Sequence, residues 1–355
     1  MKPTVWHLCS NRWNSAITEY ALRSAQALQK QGWQSKLSGL PASPCEQRAK
    51  EYHVAGPSFG FKFSELFALR AYAKSLKPSV IITYGGPETF LARFLGVPVV
   101  RFRGQDSDLV QPLSKFDLSL NLGFCRAILT PAQVLADRFK VVLPNKTIVS
   151  IPLGLDTAIF HSRIRKEAAR PRLVLVGRLD PIKGHEKFFE LFCKVLKAWD
   201  RQHPRPFFEI IGQSSNIGSS ALRGHAKSLG LKEGVDWGIV EARVSNLPER
   251  LANATLGVVP SLGSEVICRV TEEFLLSGTP VLVSNVGSLS ECLIDESFGN
   301  LFQDNDHDVQ VLKNWIVRAF DEDQRTRDER AKRAASHFSL EKMGSQLVKF
   351  LFPLI

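Results

Sequence analysis

Short apolar runs recur along this chain, and each is followed by a polar turn and then by apolar residues at helical spacing. Residues 4–8 form the first run. The turn Ser10-Asn11-Arg12-Trp13-Asn14-Ser15 follows, and then Ala16–Lys30 places Ala21, Ala25 and Leu28 on one helical face, with Gly32 at its end. The unit returns at 80–84, with Gly85-Gly86-Pro87 as the turn and 88–95 as the helix, and a further strand is expected at 97–102. Such alternation predicts a parallel sheet flanked by helices. After a turn-rich exit at 151–160 and a charged stretch at 161–171, a second series opens. It reads as strand 173–176, loop 177–184, helix 185–199, strand Phe207–Ile211, helix 221–229, a short strand at 238–240 and helix 247–254. At 355 residues the chain suits two domains. The expected division is an N-terminal domain over 1–160, a linker over 161–171 and a C-terminal domain over 172–335. The remaining 336–355 should pack back across the domains as a helix capped by Ser339. Two doubly wound domains in tandem leave a cleft between their strand ends.

Chemistry is densest in 260–291, PSLGSEVICRVTEEFLLSGTPVLVSNVGSLSE, which follows the apolar run Leu256–Val259. A helical pattern through Val270, Phe274 and Leu275 stops at Ser277-Gly278-Thr279-Pro280, and 281–283 is a second strand. Ligands of an open α/β sheet sit beyond the carboxyl ends of its strands, which places one at the loop 261–269. Two acids stand there eight residues apart. Glu265, in the loop, can accept hydrogen bonds from sugar hydroxyls, and Glu273, on the helix, can reach a ribose, while Arg269 between them can neutralise phosphate. The preference of helix starts for acids accounts equally for Glu272 and Glu273 but leaves Glu265 unexplained. In VGRLDPIKGHEKFF, Arg178 and Lys183 lie between a strand and a helix, with Gly177 and Gly184 allowing close backbone approach. That set suits a diphosphate at a helix N-terminus, and a solvated charged turn has the same spacing. Neither GxxxxGK(S/T) nor GxGxxG occurs.

Residues 1–160 hold 19 Lys and Arg against 10 Asp and Glu, whereas the remainder holds 27 against 25. The basic half is expected to face an anionic membrane surface or a phosphorylated acceptor, although lysines that serve only solubility give the same count. No nucleic-acid recognition motif accompanies the charge, so nucleic acid is not an expected partner. The segment 56–78 mixes Phe59, Phe61 and Phe63 with Lys62, Arg70, Lys74 and Lys77, and reads either as a membrane-surface element or as an amphipathic helix packed on the sheet. No apolar run approaches the ~18 residues of a spanning helix, and MKPTVWHLCS reads as a first strand rather than a signal peptide. A cytoplasmic protein is expected, peripheral on the inner face of the cytoplasmic membrane. Six cysteines without a CxxC pair and eight histidines without HExxH predict free thiols and no metal site.

As a set, IPLGLDTAIF, GRLDPIKG, the Gly212 turn after FEII and the 260–291 stretch resemble the GT-B retaining glycosyltransferases of the large GT4 family. The resemblance covers the chain nearly end to end. It implies an α/β protein of two tandem Rossmann-like doubly wound domains with an inter-domain cleft. A nucleotide-diphosphate-sugar donor would sit on the C-terminal domain and an acceptor on the N-terminal domain, with no metal and no cofactor. The family's E-x7-E pair falls on Glu265, at the transferred sugar, and on Glu273, at the nucleotide ribose. Its basic pair falls on Arg178 and Lys183, at the diphosphate. The implied donor set is therefore Gly177, Arg178, Lys183, Gly212, Glu265, Arg269 and Glu273, with Arg178, Lys183 and Glu265 in catalytic roles. Asn14, Ser15, Arg103 and Asp106 are the candidates on the acceptor side.

Three departures from the family pattern stand out. SNRWNSA replaces a glycine-rich first loop, Val266-Ile267-Cys268-Arg269 replaces a glycine-aromatic-glycine sequence, and Arg103-Gly104-Gln105-Asp106 takes the place of a histidine. The expected function is sugar transfer with retention onto a glycan or lipid-linked acceptor, in cell-envelope glycan or lipopolysaccharide biosynthesis. A transferase acting on a soluble small molecule or protein, and a non-catalytic nucleotide-sugar or anionic-glycan binding protein, fit the same residues.

Overall fold

The computed structural model describes residues 2–105, 107–111, 121–165, 169–200, 202–263, 265–303, 305 and 307–355. It contains two compact units, each built on a six-stranded sheet whose pairings are all parallel. One unit runs up to Leu155 and resumes at His337–Ile355, and the other is Asp156–Ser336. The α/β class and the doubly wound arrangement predicted by the alternation are present.

In the first unit the strands are β1 (Thr4–Cys9), β2 (Gln34–Gly39), β3 (Val80–Thr83), β4 (Val99–Phe102), β5 (Ala127–Thr130) and β6 (Thr147–Ser150), ordered β2-β1-β3-β4-β5-β6. β1 and β3 to β5 are buried along their whole length, as parallel strands covered on both faces must be. Trp6, Phe59, Phe61, Leu69 and Ile81 pack into one core, and the Trp6 indole donates to Ser38 Oγ at 3.0 Å. The 56–78 segment thus divides: Phe59 and Phe61 belong to the core, and helix Leu66–Leu76 turns Leu66, Leu69 and Ala73 inward, whereas Phe63 and Phe67 face solvent. Ser339 Oγ accepts from Lys342 N at 3.2 Å and starts helix Leu340–Leu351, which lies against helix Ala16–Lys30.

The second unit holds β7 (Arg172–Val176), β8 (Phe207–Ile211), β9 (Trp237–Val240), β10 (Leu256–Val259), β11 (Val281–Ser284) and β12 (Gly299–Phe302), ordered β12-β11-β10-β7-β8-β9. Counted within the unit from β9, this is the 3-2-1-4-5-6 order of dinucleotide-binding sheets. Helix His185–Lys197 directs Phe188, Phe189 and Phe192 into the core, where Phe188 meets Phe208 at 4.7 Å and Phe189 meets Trp237 at 4.8 Å between ring centroids. Burying such a side chain stabilises by roughly 1.5–3 kcal/mol. Around 161–171, Ser162 Oγ accepts from Gln324 Nε2 at 2.9 Å and Arg165 Nη1 donates to Ala319 O at 2.9 Å. All six cysteines are free and buried. Among the described residues, no helix is long and apolar enough to cross a membrane.

Candidate active site

In the second sheet the strand order reverses between β7 and β10, because the chain runs outward from β7 to β8 and from β10 to β11 in opposite directions. The crevice beyond the carboxyl ends at such a reversal is where open α/β sheets hold ligands. Loops 177–184 and 260–268 leave those two ends. Asp180 shapes the first: its Oδ1 accepts from Ile182 N at 3.1 Å, starting the 3-10 turn Pro181–Lys183, and its Oδ2 accepts from Asn216 Nδ2 at 2.7 Å. Gly184 ends that turn at φ +70°, where an added Cβ would overlap the carbonyl of Pro260. Glycine is therefore required for the two loops to touch, and Leu262 N joins them by donating to Ile182 O at 2.7 Å.

Lys183 Nζ donates to Glu265 Oε1 at 2.5 Å, and Ser261 Oγ donates to the same oxygen at 2.6 Å. The Glu265 side chain is nearly buried, and its Oε2 has no partner among the described residues. The main chain of Glu265 is clamped by Ser288, whose N donates to its carbonyl at 2.8 Å. Arg178 is exposed and makes no hydrogen bond or ion pair with any described residue. The site thus holds one uncommitted guanidinium, one ammonium neutralised by a carboxylate, and one carboxylate oxygen open to a hydroxyl donor. His185, the first residue of the following helix, is pushed down to about 4 by burial, so it is neutral near pH 7 and adds no charge.

On helix Arg269–Leu276 the guanidinium of Arg269 donates from Nε to Glu273 Oε1 at 2.6 Å, and Glu273 is buried. The neighbouring Glu272 is also buried, and burial together with the charge of Glu273 raises its pKa well above the usual carboxylate range. Gly212, at the exit of β8, lies so close to β7 that an added Cβ would overlap the carbonyl oxygen of Gly177. Its identity has a packing reason that holds with or without a ligand. A cavity of about 690 Å³ adjoins the site beyond β10, β11 and β12, bordered by Ser261, Leu262, Asn285 and Phe302, but Arg178, Lys183, Glu265 and Glu273 do not line it.

The remaining candidates belong to the first unit, whose strand order reverses between β1 and β3. Ser15 Oγ caps helix Ala16–Lys30 by accepting from Thr18 N at 3.3 Å, and it also accepts from Asn11 Nδ2 at 2.7 Å. Asn14 Oδ1 accepts from Arg48 Nη1 at 3.2 Å. Arg103 is ion-paired with Asp108 and lies over the Phe139 ring at 5.5 Å. Asp106 lies outside the described residues. Glu88, not singled out from the sequence, is fully buried, and its Oε1 accepts from Ser10 N at 2.9 Å across the β1–β3 reversal. Ser261, Asp180 and Asn216 were missed as well. Ser261 alone had a local signal, lying four residues before Glu265 directly after the apolar strand.

A family model described as Glycosyl transferases group 1 matches residues 156–337. D-inositol 3-phosphate glycosyltransferase of Nocardia farcinica is 31% identical over 172 residues, which is 46% of this chain and 36% of that protein. Spore coat protein SA of Bacillus subtilis is 22% identical over 238 residues, 61% of each chain. The chain therefore matches less than two thirds of the length of either relative. Among solved structures, HepE of Anabaena in complex with UDP superposes with a TM-score of 0.79 at 15% identity, covering both chains fully.

Proposed function

This chain belongs to the glycosyl transferases group 1 family and has the GT-B fold of two Rossmann-like domains, and from that premise we propose that it moves a sugar from a nucleotide-diphosphate-sugar donor to an acceptor with retention, as the GT4 members do. The observation that carries this reading is the exposed Arg178, without a partner among the described residues, in the same loop as Lys183 of the Lys183–Glu265 pair at the strand-order reversal. Transfer breaks the bond between the anomeric carbon and the diphosphate oxygen, and negative charge grows on the departing diphosphate. Arg178 and Lys183 stabilise that charge, assisted by the N-terminus of helix His185–Lys197. Glu265 Oε2 accepts from a hydroxyl of the transferred sugar, and Glu273 from the ribose, while Arg269 holds Glu273 in place. No step requires a metal or a cofactor. The acceptor, a glycan or lipid-linked sugar of the cell envelope or of lipopolysaccharide, belongs to the N-terminal domain, where Asn14, Ser15, Arg103 and Asp106 are its candidate contacts. The protein works in the cytoplasm, peripheral to an anionic membrane.

The test is incubation with UDP-, GDP- and ADP-sugars in the presence of a chelator, following release of nucleoside diphosphate and the anomeric configuration of the product. Transfer with retention, unaffected by chelator, is expected. Stabilisation by a nucleotide sugar without turnover would assign the protein instead to non-catalytic nucleotide-sugar binding, and no stabilisation by any of them would overturn both readings.

A further inference from the structure

The first unit carries a surface that sugar transfer leaves unused. Phe63 is 65% exposed, Phe67 82%, and Phe90 and Phe94 36% each. Three of them touch. Phe94 lies edge-on to Phe63 at 6.2 Å and to Phe90 at 5.5 Å between ring centroids. Arg70 Nε donates to the carbonyl of Phe94 at 3.1 Å, which draws helix Leu66–Leu76, and Phe67 on it, toward the end of helix Gly86–Ala92. Single exposed rings are ordinary, but three rings in mutual contact, with a fourth exposed on the adjoining helix, expose apolar area of the kind that marks a contact surface.

The charge around the rings is predominantly positive. Residues 56–99 contain Lys62, Arg70, Lys74, Lys77 and Arg93 against only Glu65 and Glu88, and Glu88 is buried. Next to Phe94, Arg93 lies over the Phe124 ring at 5.6 Å. Arg93 and Arg126 share a cavity of about 450 Å³ whose other walls include Val97, Pro98 and Leu354, with no acid among its lining residues. Phe352, close in sequence to Leu354, is a further exposed ring at 65%. Rings that sit at the headgroup boundary, with arginines beside them on phosphates, are the physical pattern of interfacial binding.

We propose that this face docks the protein on an anionic phospholipid bilayer, Phe63, Phe67, Phe90 and Phe94 entering at headgroup depth while Arg70, Arg93 and Arg126 meet lipid phosphates. It rests on the peripheral location proposed above and names the surface responsible. It does not involve the donor site, so the two readings fail separately. The experiment is co-sedimentation with vesicles of phosphatidylglycerol and phosphatidylcholine, against vesicles of phosphatidylcholine alone, at low and high salt. The wild type should bind the anionic vesicles at low salt and be released by salt. Phe63→Ser with Phe67→Ser should lose most of the binding, and Arg93→Ala and Arg126→Ala should each weaken it about fivefold. Because these side chains are exposed, all the variants should keep the melting temperature and the nucleotide response of the wild type. Absence of binding at low salt, equal binding to phosphatidylcholine, unchanged binding by the variants, or loss of self-association rather than of vesicle binding would each overturn the proposal.

Discussion

Glu265 divides its two oxygens between different tasks. Oε1 is held by Lys183 and Ser261, and Oε2 is open. In the proposed donor site a diphosphate would therefore compete with Glu265 for Lys183, whereas the sugar would need the carboxylate to stay charged. Glu265→Gln is expected to tighten binding of a bare nucleoside diphosphate about fivefold, since releasing the half-buried Lys183 ammonium from its carboxylate is worth about 1 kcal/mol, and at the same time to lower kcat with the sugar donor. Calorimetry and turnover on one preparation check both, and parallel changes in the two would contradict the division. Glu272 makes a second prediction. Burial raises its folded pKa, so the folded chain keeps a proton that the unfolded chain loses above the ordinary value of 4.5, and stability falls as pH climbs from there. Glu272→Gln should melt higher than wild type near pH 8, by about 1 kcal/mol or more, and the gain should vanish toward pH 4.5. His7 and His185 act with the opposite sign. Burial holds them at about 3 and about 4, below the ordinary 6.5, so they are neutral when folded and stability is lost as pH falls below 6.5. Each removes about 2 kcal/mol by pH 5, and because both proteins carry them, melts of the pair isolate Glu272.

Strands packed on both faces write themselves as apolar runs, which is why β1, β3, β4, β7, β8, β10 and β11 were legible. The sheet margins, apart from β9, whose 238–240 run reads as a short strand, were not. β2 reads QSKLSG and β12 reads GNLF, and each is an edge strand with exposed positions. β6, TIVS, is an edge with only Ile148 buried, and β5, AILT, offers four residues and no turn signal of its own. Candidate site residues followed the same division. Arg178, Lys183 and Glu265 were visible because each stands just past a strand end, but the pairing of Lys183 with Glu265 spans 82 residues and that of Asp180 with Asn216 spans 36, so both depend on the sheet order. The glycines separate position from packing. Gly212→Ala is expected to lose about 1–3 kcal/mol from overlap with the Gly177 carbonyl, lowering Tm by several degrees. Gly177→Ala, whose nearest neighbour would be Lys183 Cγ at 3.6 Å, should melt close to wild type. Thermal unfolding of the two variants decides, and equal losses would refute the packing reason.

Both units place a strand-order reversal beneath their chemically loaded loops, β1 against β3 in one and β7 against β10 in the other. Each presents an exposed arginine without a partner among the described residues, Arg12 after β1 and Arg178 after β7, and the second adds the Lys183–Glu265 pair. In the first, Ser15 caps a helix, Asn14 is bonded to Arg48 and Arg103 is paired with Asp108, while the excess of positive charge over residues 1–160 is partly spent on the aromatic face around Phe63 and Phe94. The anion binding proposed at the second reversal and the membrane contact proposed for the first unit are separate properties of one chain, and the proposed donor site stands on the former. Isothermal titration of UDP, GDP and ADP against the wild type and Arg178→Ala measures it. At least one diphosphate should bind the wild type, and the variant should bind it at least tenfold more weakly. Failure of all three to bind at millimolar concentration, or unchanged affinity in Arg178→Ala, would contradict the donor site.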